Sequence, residues 1–483
     1  MSSIARRTAI LGFSRLAQQS LMFLSPLFMV RLLSVEQFGE YREFLLYGTI
    51  ILLVVGFCIN SSLAYFVPRE PDRERLYFTQ ATVFMLCTSL IAAVTVLLFG
   101  EYFPSTFIRE HKYALCLYIL FQANLDAWEV FWIAKKQTVN VLYYSLMRLG
   151  ARMTLVVLAA YLTRDVDTII RVLVLFEAIR LITMWAYALY KKLLTSEIDV
   201  DAAAAQFKFF YPLGVGNIIY SANLYMGQLF ISAVMGPAML AMYTIGTYLN
   251  PLIRLFRSSI GDVIMPEIAS MTDVPPKVAL VLWQRVTVIY CVIMLPIAVL
   301  FFYYADVFVT VFFTATYADA IPVLQVFVFL LVRECFDFAL PLRIVNRTIV
   351  FMHISLITLI LNLGLMLVLF KIYGLLGPAL AMVISRSLIS IVFAAYVMKY
   401  CEYSLAELLP WTELAKVTML SLVCIPVLIL GDLFNIAVFW RAVLFGVLYV
   451  LLYTLLLTTL RISEVNDFLS MMLSRANIGS GQR

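Results

Sequence analysis

Apolar stretches long enough to cross a membrane follow one another along the whole chain, separated by short polar segments. A helix needs about 20 apolar residues to span the hydrocarbon core of a bilayer. Stretches of about that length lie at residues 9–32, 41–66, 77–100, 113–134, 138–162, 168–190, 207–234, 238–262, 283–304, 319–345, 348–370, 374–398, 413–430 and 436–460. The pattern predicts an all-α polytopic membrane protein with about fourteen transmembrane helices.

Composition and charge support this class. The 483 residues are 63% hydrophobic and 13% charged, whereas a soluble domain carries about 25% charged residues. A net charge of +6 would favour a nucleic-acid partner in a soluble chain. Here Lys and Arg concentrate in alternate connections, as they do in the cytoplasmic loops of membrane proteins. The sequence therefore predicts no nucleic-acid partner, an even number of spans, and cytoplasmic N- and C-termini.

A polar connection divides the predicted spans into two groups. Asp199-Val200-Asp201 is followed by four alanines, almost halfway through the first twelve spans. Gly39-Glu40-Tyr41 opens the second span and Ala241-Met242-Tyr243 opens the eighth, which indicates a weak internal repeat. We therefore predict two pseudo-symmetric bundles, with the domain limits 1–192 for an N-terminal six-helix bundle, 193–206 for a cytoplasmic linker, 207–400 for a C-terminal six-helix bundle, and 401–483 for two additional helices and a cytoplasmic tail.

Several kinds of chemistry lack their usual residues. The chain has only two histidines, its seven cysteines are scattered, and it contains neither a glycine-rich phosphate loop nor a nucleophile elbow. No metal, cofactor or enzymatic activity is therefore expected, although chemistry by carboxylates stays open. The first apolar run is long, contains Arg15 and lacks a small-residue cleavage site, so we expect it to remain as a helix.

Ionisable residues within the apolar runs are the main functional signal. Each costs about 3 kcal/mol at the centre of a membrane helix unless it faces water or a partner. Two accounts stay open: arginine–carboxylate pairs between spans set helix register, or unpaired arginines line a polar lumen and bind a negatively charged group. Arg180 and Arg333 have acidic neighbours in their own helices and are expected to be paired. For substrate binding we favour Arg15, Arg148, Arg152, Arg254, Arg257 and Arg386.

Two carboxylates are candidates for ion coupling. Asp126 and Glu129 are three residues apart, so they share a helical face, and no basic residue precedes them in their span. They would couple transport to protons or sodium ions. Prolines inside predicted spans mark possible bends, at Pro26, Pro212, Pro251, Pro296 and Pro341.

Local sequences point to a family. The opening hairpin has an arginine in its first span and turns through Leu33-Ser34-Val35-Glu36-Gln37-Phe38-Gly39-Glu40-Tyr41. Its second span ends at Asn60-Ser61-Ser62, and later stretches agree, at Met242-Tyr243-Thr244-Ile245-Gly246, Met265-Pro266-Glu267-Ile268 and Tyr373-Gly374-Leu375-Leu376-Gly377-Pro378. The chain resembles the Wzx-type flippases, polysaccharide exporters of the multidrug/oligosaccharidyl-lipid/polysaccharide (MOP) superfamily. It departs at Thr163-Arg164-Asp165-Val166-Asp167, which lacks the glycine-rich turn found before the twelfth span.

The resemblance implies a function. Members have two bundles in a V shape around a cationic lumen and work by alternating access. They move undecaprenyl-diphosphate-linked oligosaccharide from the inner to the outer leaflet of the bacterial cytoplasmic (inner) membrane, for O-antigen, capsule or exopolysaccharide synthesis. The expected partners are this lipid-linked substrate, membrane lipid, a coupling proton or sodium ion, and polysaccharide polymerase or assembly proteins.

Three alternatives stay open. A MATE-like cation-coupled antiporter of the same superfamily would have acidic residues dominating its cavity, whereas this chain has at least as many arginines as carboxylates inside its spans. A membrane-embedded glycan polymerase or ligase typically has a large outer loop, and the outer connections here are short. A scaffold for a biosynthetic complex would leave the buried charges unexplained.

Overall fold

The apolar runs form α-helices throughout the described part of the chain. The computed structural model describes residues 3–197, 199–249, 276–336, 338, 348–401 and 403–459, and these contain no β-strand. The predicted all-α class is confirmed. Among the described residues, seven helices are long and apolar enough to cross a membrane, or eight if one bent pair is a single span. The crossing count of about fourteen and the orientation of the termini stay predictions.

Two compact units make up the chain, Met1–Thr244 and Ile245–Arg483. The helices of the N-terminal unit are α1 (Ser3–Leu32), α2 (Val35–Gly56), α3 (Ile59–Phe66), α4 (Glu74–Phe99), α5 (Thr106–Glu110), α6 (Lys112–Ala123), α7 (Ala127–Ala134), α8 (Thr138–Thr163), α9 (Val166–Tyr190) and α10 (Val200–Met235). The boundary between the units falls within α11 (Pro237–Gly246).

Most described helices of the C-terminal unit overlap predicted spans. They are α12 (Pro276–Tyr303), α13 (Ala305–Phe313), α14 (Ala320–Glu334), α15 (Thr348–Tyr373), α16 (Gly377–Cys401), α17 (Leu405–Leu408), α18 (Trp411–Val423), α19 (Ile425–Asp432) and α20 (Val438–Thr459). The apolar stretch His353–Tyr400 comprises two of them, because α15 and α16 pack against each other on either side of a short 3₁₀ turn.

Local hydrogen bonds explain how the opening hairpin turns. Ser34 and Gln37 form a capping box, in which the Ser34 side chain accepts from the Gln37 backbone and the Gln37 side chain accepts from the Ser34 backbone. This satisfies two of the backbone donors that a helix start leaves unpaired. Further along α2, Gly39 lies against the backbone of Pro237, where a Cβ atom would overlap the Pro237 carbonyl. A glycine is therefore required for α2 to approach α11.

Among the described residues of the N-terminal unit, two predicted spans are broken helices. Helices α2 and α3 are bent by 49°, and Phe57 and Cys58 adopt left-handed backbone conformations at the bend. Helices α6 and α7 are separated by Asn124–Asp126. By contrast, Pro26, Pro212 and Pro296 lie inside helices that continue through them, whereas Pro251 and Pro341 lie outside the described residues.

The connection before α10 is anchored to the N-terminal unit. Asp199 caps α10 and forms an ion pair with Arg73, and its backbone carbonyl accepts a bond of 2.8 Å from the Gln80 amide. The pKa of Asp199 lies below its ordinary value because the Ala202 backbone N–H donates to its carboxylate, and Arg73 lowers it further. Helix α10 packs against α2 and α3 of the same unit. The domain limits predicted around residues 193–206 stay a prediction.

Corresponding turns of the two units share one backbone feature. Arg164 ends α8 with φ of 51°, and Gly374 follows α15 with φ of 54°. Both residues are left-handed, which glycine adopts without a steric penalty and arginine does not. The turn without the glycine-rich sequence therefore also contains a left-handed residue, Arg164.

Candidate functional site

A cluster of charged and polar side chains lies inside the N-terminal unit, on α1, α8, α9 and the broken helix α6–α7. Its members, which we call the N-terminal charge cluster, are Gln18, Gln122, Asp126, Glu129, Arg148, Arg152, Glu177 and Arg180. Three carboxylates and three guanidinium groups make its formal charge zero.

The first pair in the cluster joins α7 to α8. Glu129 Oε2 lies 3.2 Å from Arg148 Nη2. The other oxygen, Oε1, accepts a long hydrogen bond of 3.4 Å from the Gln18 amide on α1. Both partners of the ion pair are partly exposed. The Arg148 guanidinium also lies 5.9 Å from the Tyr144 ring centre, within the range of cation–π attraction.

The second group centres on Glu177, which is fully buried. Its Oε2 lies 2.6 Å from Arg180 Nη1 one turn along α9. Its Oε1 lies 3.8 Å from Arg152 Nη1 on α8. Arg152 also donates to the Tyr118 hydroxyl at 3.3 Å. One carboxylate is thus shared by two arginines, and this offsets the cost of burying it.

Asp126 lies at the break between α6 and α7. Gln122 donates to it at 3.0 Å, and no described Lys or Arg forms an ion pair with it. Asn124 stabilises the break by donating to the Leu120 carbonyl at 2.8 Å and the Ser89 hydroxyl at 3.3 Å. The Tyr144 hydroxyl donates to the Leu125 carbonyl at 3.4 Å. A discontinuous helix with exposed backbone groups and a carboxylate is a common ion site in transporters.

A smaller cluster lies in the C-terminal unit. Glu334 Oε1 on α14 lies 2.8 Å from Arg333 Nη1 and 3.3 Å from Arg386 Nη1 on α16. Arg333 Nε also donates to the Ser390 hydroxyl at 2.9 Å. We call Arg333, Glu334, Arg386 and Ser390 the C-terminal charge cluster.

The predicted pairing was right for some arginines and wrong for others. Arg180 and Arg333 are paired with the acidic neighbours in their own helices, as expected. Arg148, Arg152 and Arg386 were favoured as unpaired, but each contacts a carboxylate on another helix. The spacing within one span contains no information about such a partner.

The remaining candidates lie in different places. Arg15 is on α1, one turn before Gln18, with an exposed side chain. Arg254 and Arg257 lie outside the described residues. Glu177 and Gln122 were not among the predicted site residues. Their i, i+3 and i, i+4 spacing from Arg180 and Asp126 was the signal available for both.

A separate buried carboxyl lies on α2. Glu43 accepts hydrogen bonds from the Ser105 hydroxyl, at 2.6 Å, and from the Ser232 hydroxyl on α10. It is fully buried. It borders a cavity of about 350 Å³ that Glu36, Glu40 and Glu110 also line. Ser105 in turn caps α5, so Glu43 joins three helices of the N-terminal unit.

Comparisons with solved structures identify the fold. The lipid II flippase MurJ, in an inward closed conformation, is similar with a TM-score of 0.69 and 14% identity, over 93% of this chain and 98% of that one. The eukaryotic MATE transporter AtDTX14 is similar with a TM-score of 0.57 and 13% identity, over 86% of this chain and 99% of that one. The Vibrio cholerae MATE transporter VcmN has a TM-score of 0.55 and 11% identity, over 83% and 97%. The chain has the fold that these proteins share.

Sequence comparisons identify the family. No curated protein matches the sequence. The family described as polysaccharide biosynthesis protein matches residues 28–322, which is more than half of the 483 residues. The match includes most of the opening hairpin and every member of the N-terminal charge cluster except Gln18. This chain therefore belongs to the polysaccharide biosynthesis protein family, and the predicted resemblance is confirmed at the level of that family and of the fold.

Proposed function

We propose that this protein is a flippase for undecaprenyl-diphosphate-linked oligosaccharide in the bacterial cytoplasmic membrane. It moves the substrate from the inner to the outer leaflet for the synthesis of a surface polysaccharide, by alternating access through a polar cavity. The polyprenyl tail stays in lipid while the diphosphate and sugars cross inside the protein. Polysaccharide polymerase or assembly proteins then receive the product. The observation that carries the proposal is the pair of partly exposed arginines on α8, in a chain of this family.

The chemistry of the α8 arginines suits a diphosphate. Arg148 and Arg152 are four residues apart, so they project from the same face of α8. A guanidinium group offers several donors in a fork that matches phosphate oxygens. Arg148 uses one nitrogen on Glu129, and its Nε has no hydrogen-bond partner among the described residues. We therefore assign the diphosphate to Arg148 and Arg152, and we keep Arg15, Arg254, Arg257 and Arg386 as proposed substrate-binding residues.

Asp126 and Glu129 are the proposed coupling residues. Asp126 is bound by a neutral amide and lies at a helix break. A carboxylate in this setting gains from binding a proton or a sodium ion, because either neutralises a charge that the membrane interior disfavours. Loss of Asp126 is expected to remove the dependence of transport on that ion.

A cation-coupled antiporter is the second candidate. The fold shared with MATE transporters and the carboxylates of the N-terminal charge cluster favour it. The equal number of guanidinium groups in the cluster favours an anionic substrate instead, because each arginine would repel a cation.

The test is a flipping assay in proteoliposomes with fluorescent undecaprenyl-diphosphate oligosaccharide. Arg148→Ala is expected to lower the protein-dependent flipping rate at least about tenfold, the effect of losing one charge-assisted contact. Arg171→Ala is the matched control, because Arg171 is exposed on α9 outside the cluster. It is expected to flip at the wild-type rate.

Two results would contradict the proposal. One is the absence of protein-dependent flipping with any lipid-linked oligosaccharide, together with export of a small organic cation, which would favour the antiporter. The other is an equal loss of flipping in Arg148→Ala and Arg171→Ala, which would remove Arg148 from the binding site.

A further inference from the structure

We propose that Glu129 is a resident competitor of the substrate: it occupies Arg148 when the cavity is empty, is displaced by a phosphate of the substrate, and returns to Arg148 to expel it. The proposal rests on the proposed function and adds a release step to it. The carboxylate of Glu129 then determines both the affinity for the diphosphate and the rate at which the diphosphate is released.

The contacts of Glu129 suit an exchange of partners. Its two oxygens are bound by different groups, Oε2 by Arg148 at 3.2 Å and Oε1 by Gln18 at 3.4 Å. When a phosphate takes Arg148, the carboxylate keeps a donor on α1. Gln18 itself is positioned by a 3.3 Å bond to the Ser14 hydroxyl. Glu129 is therefore not left without a partner when Arg148 is taken.

Arg148 has hydrogen-bond donors that its contact with Glu129 does not use. Its contact with Glu129 uses a single pair of atoms, whereas arginine and carboxylate bind most strongly through two parallel hydrogen bonds. Its Nε is buried and has no hydrogen-bond partner in the described part of the chain. A phosphate offers more oxygens than the carboxylate does, so it can use the donors that Glu129 leaves unused.

The Arg148–Glu129 pair is more accessible to solvent than the neighbouring Arg180–Glu177 pair. The side chains of Arg148 and Glu129 are 19% and 22% exposed. Those of Arg180 and Glu177 are 7% and 0% exposed and lie 2.6 Å apart. A ligand that enters the cluster reaches the first pair, while the second is tight and enclosed. Exchange is therefore assigned to Glu129 and not to Glu177.

Transport needs both binding and release, so a site must not hold its substrate too strongly. A diphosphate on arginines in a medium of low dielectric would be held tightly, because Coulomb attraction grows as the dielectric falls. A carboxylate within reach competes for the same guanidinium and lowers the net affinity. Removing it should strengthen binding and slow turnover, whereas loss of a merely structural contact should weaken both.

The experiment compares binding with turnover in one set of variants. Undecaprenyl diphosphate without sugars is titrated into the full-length protein in lipid nanodiscs, and flipping of the fluorescent oligosaccharide lipid is measured in proteoliposomes. In Glu129→Gln the side chain keeps an oxygen for Gln18 but loses its charge. We expect its dissociation constant to fall about tenfold and its flipping rate to fall about threefold or more because release becomes slow.

Glu74→Gln is the matched control. Glu74 forms a similar ion pair with Lys135, at 2.7 Å and with 23% and 26% exposed side chains, at the end of α7. Wild-type affinity and flipping are expected. In the Arg148→Ala background, adding Glu129→Gln should not increase the affinity. The double variant and the Arg148→Ala single variant should therefore bind undecaprenyl diphosphate equally well. If Glu129→Gln does not accumulate, Glu129→Asp withdraws the carboxylate by one methylene and should tighten binding about threefold.

The proposal is overturned if Glu129→Gln binds no more tightly than the wild type, or if the gain persists in the Arg148→Ala background. If the wild type flips normally, either result would be consistent with the proposed function. It would show that the Glu129–Arg148 ion pair is only structural. Absence of flipping by the wild type would instead contradict the proposed function itself.

Discussion

Each compact unit contains a carboxylate shared by two arginines, but the two arrangements differ in what surrounds them. Glu177 contacts Arg180 on its own helix and Arg152 on α8, and Glu334 contacts Arg333 beside it and Arg386 on α16. Only around Glu177 do the described residues add a second ion pair, a broken helix and glutamine side chains.

The difference separates two uses of buried charge. A carboxylate between two guanidinium groups neutralises them and joins neighbouring helices, and it needs no ligand to do so. The added pair Glu129–Arg148 is more exposed than the pair Glu177–Arg180 and lies beside a helix break. We conclude that the shared carboxylates stabilise the fold of each unit, and that the pair beside the break is the part able to exchange partners.

The largest expected effect is on stability. Glu177→Ala removes a fully buried carboxylate from Arg180 and Arg152, and the free energy of unfolding should fall by about 3–5 kcal/mol. Glu334→Ala should cost about 1–2 kcal/mol, because Glu334 is partly accessible to water whereas Glu177 is fully buried. Unfolding of the purified variants in mixed micelles, followed by circular dichroism, measures both. Equal losses would mean that burial does not distinguish the two clusters.

Arg386→Ala tests the C-terminal charge cluster in transport. Arg333 still neutralises Glu334 at 2.8 Å in this variant, so unfolding should change by less than about 1 kcal/mol. Flipping should fall about threefold to tenfold, since one cation for the diphosphate is lost. The proteoliposome assay measures this beside Arg148→Ala. Wild-type flipping in Arg386→Ala would confine substrate binding to the remaining arginines.

The smallest effects are expected at the two left-handed turns. Arg164→Gly should stabilise the protein by about 0.5–1 kcal/mol, because glycine adopts the observed φ without strain. Gly374→Ala should destabilise it by about 1 kcal/mol, and no neighbouring atom would obstruct the added Cβ atom. Both changes are measured by the same unfolding titration. Shifts of the same sign would show that the turns are not equivalent.

Helix positions could be read from the sequence because burial in lipid imposes one apolar pattern on every span. The predicted span 138–162 became α8 (Thr138–Thr163), and 436–460 became α20 (Val438–Thr459). Breaks were harder, because prolines were taken as their signal. The helices instead break at Phe57–Cys58 and at Asn124–Asp126. Near these breaks the Thr88 and Tyr144 hydroxyls donate to the Val55 and Leu125 carbonyls.

Pairing of the embedded charges was only half predictable. Partners within a helix follow from spacing, as for Glu177 and Arg180. Partners between helices depend on which helices are neighbours, and α8 contacts both α7 and α9. Glu129 and Arg148 are therefore brought together by packing that no local pattern encodes. For Asp126 the prediction from the sequence agrees with the packing. No basic residue precedes it on its own span, and no described Lys or Arg on a neighbouring helix forms an ion pair with it.

Glu43 has a consequence for the order in which the protein is made. Its hydroxyl partners are 62 and 189 residues away along the chain. During synthesis, which proceeds from the N-terminus, Glu43 enters the membrane long before Ser232 on α10 leaves the ribosome. Until then this carboxyl is incompletely satisfied, and the preceding helices cannot close around it at low cost. A nascent chain that stops before α10 would thus hold Glu43 in the membrane with only one of its two hydroxyl partners, Ser105.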